Sequence, residues 1–199
     1  MSSGYPRTRR AILEATRQVL AESGMNFRLE DVARAAGVSR QAVYLHFGSK
    51  SGLLVALVTF VDESEGLHEL AARVFEHESV VDQLDGFVDL QAEYTPRIYA
   101  IARALDQARR VDEAAAAAWN NRMEDRKTAC RGIVGRLKDQ GVLHPEWSVE
   151  DAVELLFVLT SIRTWEDLIV DAGWSKDRYA AALRRAARQI VLAPAQRRN

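Results

Sequence analysis

The sequence predicts an all-α protein of nine helices, and three observations support this fold class. Only four prolines occur in 199 residues, and each lies where a helix could begin or end. Alanine, the residue with the highest helix propensity, is abundant. No stretch shows the sustained alternation of apolar and polar residues, bounded by turn dipeptides, that is typical of strands. With 48% hydrophobic and 28% charged residues, the chain has the composition of a globular protein that buries an ordinary core.

The individual helices are predicted from apolar residues at three- and four-residue spacing and from capping residues at the helix ends. The first four helices run from Arg7 to a stop at Gly24, over 29–36 with Gly37 as terminator, from the Ser39 cap to Phe47, and from the Ser49 cap towards Phe75 with an interruption near Gly66. The next three run over 82–94, from Pro96 to about 109, and over 112–140, where Gly141 ends the helix. The last two run from the capping box at 148–151 to Gly173, and from Ser175 to a point before Pro194.

Charge is unevenly distributed along the chain although the formal net charge is only −1. Residues 1–52 contain eight basic and four acidic side chains and carry +4, whereas the remainder carries −5. A basic N-terminal segment followed by an acidic remainder favours a nucleic-acid-binding segment joined to a part of the chain with a second function. Cys130 is the only cysteine, which excludes an intrachain disulfide. Because no uncharged run reaches membrane length and no signal peptide is recognisable, we expect a cytoplasmic protein without a membrane partner.

Residues 29–47 have the pattern of a helix-turn-helix. Ala33 and Ala36 leave room for two helices to approach closely, and Gly37 tolerates the left-handed backbone that a tight turn needs. Ser39 then caps the following helix through its hydroxyl. This arrangement also occurs as plain packing in helical proteins, but the positive charge of the segment favours DNA binding.

The second helix of this motif offers side chains suited to a DNA groove. Arg40 and Gln41 lie in its first turn, where Arg pairs with guanine and Gln with adenine through two hydrogen bonds each. Tyr44 can stack on a sugar or bind a phosphate, and His46 and Lys50 follow on the side expected to face the backbone.

The run Phe27–Leu54, FRLEDVARAAGVSRQAVYLHFGSKSGLL, resembles the DNA-binding domain of the TetR family of transcriptional regulators. The matching positions are Asp31-Val32-Ala33, Ala36-Gly37-Val38-Ser39, Tyr44-Leu45-His46-Phe47, and Lys50 followed by Leu53-Leu54. The resemblance is strong over roughly the first quarter of the chain. Beyond that quarter it extends only to length and helix number.

The resemblance implies an N-terminal three-helix helix-turn-helix domain over 1–52 and a C-terminal helical ligand-binding and dimerisation domain over 53–199. It implies a homodimer, formed through the last two helices, that presents two recognition helices to a palindromic operator in double-stranded DNA. Its phosphate contacts would come from Tyr44, His46 and Lys50, with Arg28 and Ser39 as further candidates. Two departures from the family pattern, Arg28 in place of a capping Thr or Ser and Arg40-Gln41 directly after the turn, make the operator preference specific to this chain.

The resemblance also implies a small-molecule effector that binds among the middle helices and releases the protein from its operator. The candidate lining residues are Phe87, Tyr94, Tyr99, Trp119, Met123, Phe157 and Trp165, with Cys130 and Arg163 as polar or polarisable groups. Such side chains at helical spacing are also typical of an ordinary core. If they line a pocket, their aromatic character favours a lipophilic or aromatic effector.

An enzyme is the first alternative, and the sequence offers little chemistry for one. Glu65 and His68 have the E-x-x-H spacing of di-iron bundles, but no second copy exists, which favours a solvated His68. Cys130 has no neighbouring His in sequence and is expected to be a small buried hydrophobe. We therefore predict no catalytic residue, metal or cofactor. A helical interaction protein and a ligand-blind regulator remain open as further alternatives.

Overall fold

The computed structural model describes residues 7–23 and 27–194, and over these ranges it confirms the all-α class. The α-helices are α1 Arg7–Ser23, α2 Leu29–Ala35, α3 Arg40–Phe47, α4 Lys50–Ser64, α5 Leu67–Val74, α6 Val80–Ala108, α7 Glu113–Asp139, α8 Val149–Leu159, α9 Ile162–Trp165 and α10 Lys176–Val191, and α9 continues as a π-helix over Glu166–Asp171. The predicted stop at Gly24 lies outside the described residues.

The helices form two compact units. The first unit comprises Met1–His68 and Arg97–Asn121, and the second comprises Glu69–Pro96 and Arg122–Asn199. Helices α6 and α7 therefore contribute residues to both units. The division into domains 1–52 and 53–199 stays a prediction.

In the first unit, α1 provides the apolar face on which the short helices assemble. Ile12, Leu13 and Leu20 are completely or almost completely buried, and α1 packs against α2 and α4. Thr16 is buried on the same face, and its hydroxyl donates to the Ile12 carbonyl over 2.7 Å, so this polar group is satisfied inside the core. The three- and four-residue spacing seen in the sequence is thus the spacing of the buried face.

In the second unit, α8 packs against α10. Ala152, Val153 and Leu156 of α8 are fully buried, as are Leu183 and Ala187 of α10. The small alanines allow close approach of the two helix backbones. Much of the apolar surface of the last two predicted helices, through which the resemblance implies dimerisation, is therefore already buried within a single chain.

One predicted interruption is confirmed and one predicted boundary is wrong in the middle of the chain. The interruption near Gly66 separates α4 from α5, because Gly66 adopts a left-handed φ of 63°. The predicted fifth and sixth helices are one helix, α6, which continues through Pro96. An interior proline removes one backbone hydrogen bond and its ring crowds the preceding turn, but in α6 the helix is packed on both sides of Pro96 and continues. Leu84 and Val88 before Pro96, and Leu105 after it, are buried.

The predicted eighth helix, from 148 to 173, is interrupted after Leu159. The Leu156 carbonyl accepts both the last helical bond, from the Thr160 backbone N–H over 3.0 Å, and a bond from the hydroxyl of buried Thr160 over 2.9 Å. Such back-bonding by a Thr hydroxyl often bends a helix. Ser161 then caps α9 by accepting from the Thr164 backbone N–H over 3.1 Å. The capping residue was present in the sequence, but the apolar periodicity across it concealed the break.

Within residues 7–23 and 27–194, no single helix has the length and apolarity needed to cross a membrane. The consecutive helices α3 and α4 reach that length and composition only when taken together, and they are bent by 68° with respect to each other.

Gly52 allows α4 to begin immediately beside α3, and its replacement should destabilise the protein. A Cβ at this position would lie 2.2 Å from the Phe47 carbonyl oxygen, whereas a Cβ at Gly135 in α7 would meet no atom within 4 Å. We expect Gly52→Ala to lower the free energy of unfolding by about 1–3 kcal/mol through overpacking. The matched change Gly135→Ala should raise it by about 0.5–1 kcal/mol, because Ala loses less backbone entropy in a helix. Urea titrations followed by circular dichroism would measure both, and equal shifts would contradict the role of Gly52.

Cys130 is fully buried in α7, which confirms its interpretation as a core residue. Burial raises the pKa of its thiol from 9.0 to about 11. At pH 8 the thiolate fraction should therefore be about a hundredfold lower than in an exposed cysteine, since the thiolate is the reactive form. We expect a disulfide reagent such as DTNB to label the native protein very slowly and the denatured protein within seconds. Rapid stoichiometric labelling of the native protein would contradict this burial.

Candidate nucleic-acid interface

A tight turn connects α2 and α3 and confirms the predicted helix-turn-helix. Gly37 has a left-handed φ of 66°, and the backbone N–H of Val38 donates to the Ala33 carbonyl over 2.9 Å. This bond closes the end of α2 in the way typical of a glycine-terminated helix. Ser39 then caps α3, because its hydroxyl oxygen accepts from the Ala42 backbone N–H over 3.1 Å. The chain therefore changes direction within a few residues, and hydrogen bonds fix both the end of α2 and the start of α3.

Helix α3 has one inward side chain and a largely exposed outer surface. Val43 is 1% exposed and anchors the helix on the core. Arg40, Gln41, Tyr44 and Leu45 are exposed on the outside. Leu45 is exposed to 81%, although it is a large apolar side chain in the middle of the motif. The sequence analysis looked for hydrogen-bonding groups and missed Leu45. Its position could have indicated exposure, because Leu45 is two residues from buried Val43 and so does not share the three- and four-residue spacing of the buried face.

The guanidinium of Arg40 is held by two acceptors. Its Nη1 lies 2.8 Å from a carboxylate oxygen of Glu30 in α2, and its Nη2 donates to the Tyr44 hydroxyl over 3.2 Å. The guanidinium carbon also lies 5.4 Å from the centre of the Tyr44 ring, within the range of a cation–π contact. The hydrogen bond to Tyr44, and then the charge of Glu30, raise the pKa of Arg40 above its usual value. Glu30 is a second residue of this surface that the sequence search missed.

Lys50, at the start of α4, bonds to the protein itself. Its ammonium donates to the Phe27 carbonyl over 2.7 Å and lies 4.0 Å from the centre of the Phe27 ring. Partial burial lowers the pKa of Lys50. An ammonium has three N–H donors, so one bond to Phe27 leaves two that can face a phosphate.

The remaining predicted DNA-binding residues lie on the same short stretch of chain. His46 is half-buried, and its backbone carbonyl accepts from Arg9 Nη1 over 2.7 Å, which ties α1 to the end of α3. Arg28 is exposed at the N-cap of α2 and makes no side-chain capping bond, as its departure from the family pattern predicted. Ser39 uses its hydroxyl as a cap. All seven predicted residues thus lie between the N-cap of α2 and the first turn of α4.

The E-x-x-H pair at Glu65 and His68 has a carboxylate that is already engaged by the protein. Glu65 accepts from Arg17 over 2.6 Å and from Arg97 over 2.9 Å, so both of its oxygens are engaged in ion pairs of the first unit. Burial raises the pKa of this carboxyl, but the bonds from Arg17 and Arg97 outweigh burial and lower it overall. His68 is exposed, in agreement with its interpretation as a solvated residue.

The predicted effector-binding residues are distributed over both units, and whether they bind a ligand stays a prediction. Phe87, Tyr94 and Trp165 are buried side chains of the second unit, and Trp119 is a buried side chain of the first. The others are half-buried or, for Arg163, exposed: Tyr99, Met123, Phe157 and Arg163.

One face of Phe157 is already occupied within the protein. The guanidinium of Arg126 lies 3.6 Å from the centre of the Phe157 ring, and it also donates to the Phe157 carbonyl over 2.9 Å. This carbonyl is in the last turn of α8, where an unpaired backbone oxygen attracts a cation. Burial lowers the pKa of Arg126 to about 10. The contact gives Phe157 a structural role at the end of α8.

A cavity of about 360 Å³ in the second unit is lined by α6 and α10 and by none of the predicted pocket residues. Its walls are charged or polar: Asp85, Arg184, Arg185, Arg188 and Gln189. Arg188 binds both oxygens of Asp85, over 3.0 and 2.7 Å, and this hydrogen bonding raises the pKa of Arg188. Arg184 is likewise ion-paired with Asp89. The two ion pairs hold α10 against α6.

Comparison with known proteins relates this architecture to one family. A sequence model described as bacterial regulatory proteins of the tetR family matches residues 12–57. The transcriptional regulator TtgR of Pseudomonas putida is 38% identical over 78 residues, which are 39% of this chain and 36% of that protein. The transcriptional repressor BepR of Brucella suis biovar 1 is 28% identical over 159 residues, which are 76% of each.

Among solved structures, NalD of Pseudomonas aeruginosa, described as the secondary repressor of the MexAB-OprM multidrug efflux pump, is 25% identical with a TM-score of 0.68. That similarity covers 94% of this chain and 98% of NalD. The matches to the curated relatives TtgR and ArpR span little more than a third of the length of those proteins, 36% in each case. These relatives are transcriptional regulators and not enzymes. The helix-turn-helix thus lies within the segment that matches the tetR-family model, and the fold along the chain is similar to that of solved regulators such as NalD.

Proposed function

We propose that the chain is a dimeric, sequence-specific DNA-binding repressor, which a small lipophilic or aromatic ligand releases from a palindromic operator. The observation that carries this proposal is the exposed first turn of α3, where Arg40 and Gln41 point away from the core directly after the capped turn. In a helix-turn-helix this turn of the second helix enters the major groove and contacts base edges.

Two side chains are suited to read bases, and a third adds an apolar contact. The guanidinium of Arg40 matches the O6 and N7 acceptors of guanine, and the amide of Gln41 matches the N6 and N7 atoms of adenine. Leu45, exposed one turn after Gln41, is suited to contact the methyl group of thymine. Together they would discriminate among the base pairs of one half-site.

The other polar groups are suited to contact the phosphate backbone and hold the register of α3 in the groove. Tyr44 and Lys50 offer a hydroxyl and two remaining ammonium donors, and exposed Arg28 offers a positive charge at the start of α2. Half-buried His46 and the capping Ser39 are the remaining candidates. Such contacts contribute affinity that depends on salt and carries no sequence information.

Dimerisation through the predicted last two helices is supported by exposed apolar side chains in that part of the chain. Val158 on α8 is 62% exposed and Val170 on the π-helix is 50% exposed. One helix-turn-helix contacts too few bases for specific binding, whereas a two-fold dimer reads two half-sites separated by one or more helical turns. Repression, as the direction of regulation, is supported by the similar proteins BepR and NalD, which are both described as repressors.

An apolar effector is supported by the aromatic side chains of α6 to α9 and by the likeness to NalD, a repressor of a multidrug efflux pump. Release requires that the ligand favour a spacing of the two recognition helices that does not fit the operator. A coupling free energy of about 1–3 kcal/mol is the usual magnitude for such regulation. A ligand-blind regulator would show no such coupling.

Selection of bound duplexes from a random DNA pool at physiological salt tests the proposal. We expect enrichment of a two-fold symmetric motif with half-sites one or more helical turns apart, and a dimeric mass by light scattering. The enriched duplex would then be used to screen lipophilic aromatic compounds for DNA release, with choline as a polar control. Recovery of no motif, with binding lost smoothly as salt rises, would instead favour a helical interaction protein with a basic N-terminal segment.

Substitution of Arg40 tests the assignment of base reading. We expect Arg40→Ala to weaken binding to the enriched duplex about five- to 100-fold, because a bidentate Arg–guanine contact is lost, with a much smaller effect on a scrambled duplex. Repeating the selection with this variant should relax the preference at one position in each half-site. The matched control is Arg34→Ala, which removes an exposed arginine that pairs with Asp31 in α2. Equal losses on both duplexes would make Arg40 a phosphate contact.

A further inference from the structure

The structure contains an acidic residue at the surface where a DNA-binding protein is expected to be basic. Glu30 lies in the first turn of α2, and its carboxylate is 2.8 Å from Nη1 of Arg40. The side chains of Arg40 and Glu30 are 57% and 48% exposed, so this is a surface ion pair that solvent can reach. Such pairs contribute little to folding stability. The structural role of Glu30 in stabilising the fold is therefore small.

The place of the pair in the motif determines what Glu30 can do. The first helix of a helix-turn-helix crosses the DNA backbone while the second lies in the groove. Glu30 belongs to the first helix and Arg40 to the second, ten residues apart across the turn. A phosphate that pairs with Arg40 would therefore carry its negative charge to within a few ångströms of the Glu30 carboxylate.

A guanine base would not meet the same repulsion. Its O6 and N7 acceptors are neutral, and the guanidinium has five N–H donors, of which Tyr44 takes one on Nη2. Tyr44 and Glu30 restrict the orientation of the guanidinium from two sides while donors remain for a base. The carboxylate thus penalises binding of a charged acceptor more than binding of a neutral one.

We propose that Glu30 is a specificity-determining residue, which suppresses sequence-independent phosphate contacts by Arg40 and so raises the ratio of operator to non-specific affinity. This inference rests on the proposed function, since it requires Arg40 to contact DNA. Glu30 acts through Arg40 and is a positioning residue. Glu30 itself contacts no base.

The test compares Glu30→Gln with Asp31→Asn. Both substitutions remove one negative charge from the first turn of α2, so they change the long-range electrostatics and the helix dipole equally. Asp31 pairs with Arg34 over 3.1 Å and not with α3, which makes it the matched control. Affinities are measured by fluorescence anisotropy on the duplex that the wild type enriches from a random pool and on a scrambled duplex, at several salt concentrations.

We expect Glu30→Gln to tighten binding to the scrambled duplex about two- to fivefold per half-site, the range that an exposed ion pair supports. The enriched duplex should gain much less, so the specificity ratio falls. The salt dependence on scrambled DNA should steepen by about 0.9 in logarithmic slope for each new phosphate contact. Asp31→Asn should strengthen binding to both duplexes alike and leave the ratio unchanged. Glu30→Asp, which keeps the charge, should retain most of the discrimination.

A double-mutant cycle identifies the route of the effect. In an Arg40→Ala background, Glu30→Gln should behave as Asp31→Asn does, because the group through which Glu30 acts is absent. Thermal melting of each variant confirms that it is folded. If the wild type discriminates but Glu30→Gln and Asp31→Asn have equal effects on the ratio, the inference is wrong and the proposed function stands. If the wild type enriches no motif, both are wrong.

Discussion

The geometry of the exposed surface of α3, the candidate DNA interface, depends on a turn between two helices that are too short to be stable alone. Helices α2 and α3 contain seven and eight residues, below the length at which an isolated helix persists in water. They are fixed instead by Gly37, by the Ser39 cap and by side chains such as Val32 and Val43 that are buried on the core. If the turn were loosened, the exposed side chains of α3 would lose their common orientation, although none of them takes part in the turn. The backbone geometry of the turn therefore determines where the charged and polar side chains of α3 lie.

Basic residues near the N-terminus serve the fold as well as the surface. Lys50 and Arg9 donate to the carbonyls of Phe27 and His46, and each also lies over an aromatic ring. The His46 carbonyl lies in the last turn of α3, so the Arg9 cation satisfies a terminal acceptor at the negative end of that helix. The Phe27 carbonyl lies just before α2, outside regular helical bonding. The positive charge counted in residues 1–52 is thus an upper limit on the charge offered to a phosphate backbone. Among the candidate DNA-binding residues, Arg28, Arg40 and Lys50 are exposed basic side chains, and the Glu30 carboxylate offsets part of the charge of Arg40.

Sequence reasoning succeeded where structure is determined by neighbours along the chain, and it failed where distant packing decides. The turn and the caps at Ser39, Ser49 and Ser148 depend on contacts between residues at most five apart in the chain. The continuity of α6 through Pro96 does not, because apolar burial on both sides of the proline outweighs the one lost hydrogen bond. The pairing of Glu30 with Arg40 also lies beyond such reasoning, since the two residues meet only after the turn is folded.

The same distinction explains why the structure brings the candidate DNA-binding residues together and scatters the candidate effector-binding residues. The seven DNA candidates occupy one contiguous stretch whose turn determines which way each side chain points. The effector candidates are scattered over α6 to α9 and over two units, and an aromatic residue at helical spacing has the same signature in a core as beside a ligand. Phe157 illustrates the difficulty. The guanidinium of Arg126 covers one face of its ring at the end of α8, and no local pattern in the sequence predicts this contact. A ligand site built from distant segments therefore has to be located by binding, whereas a groove-reading helix can be located by its turn.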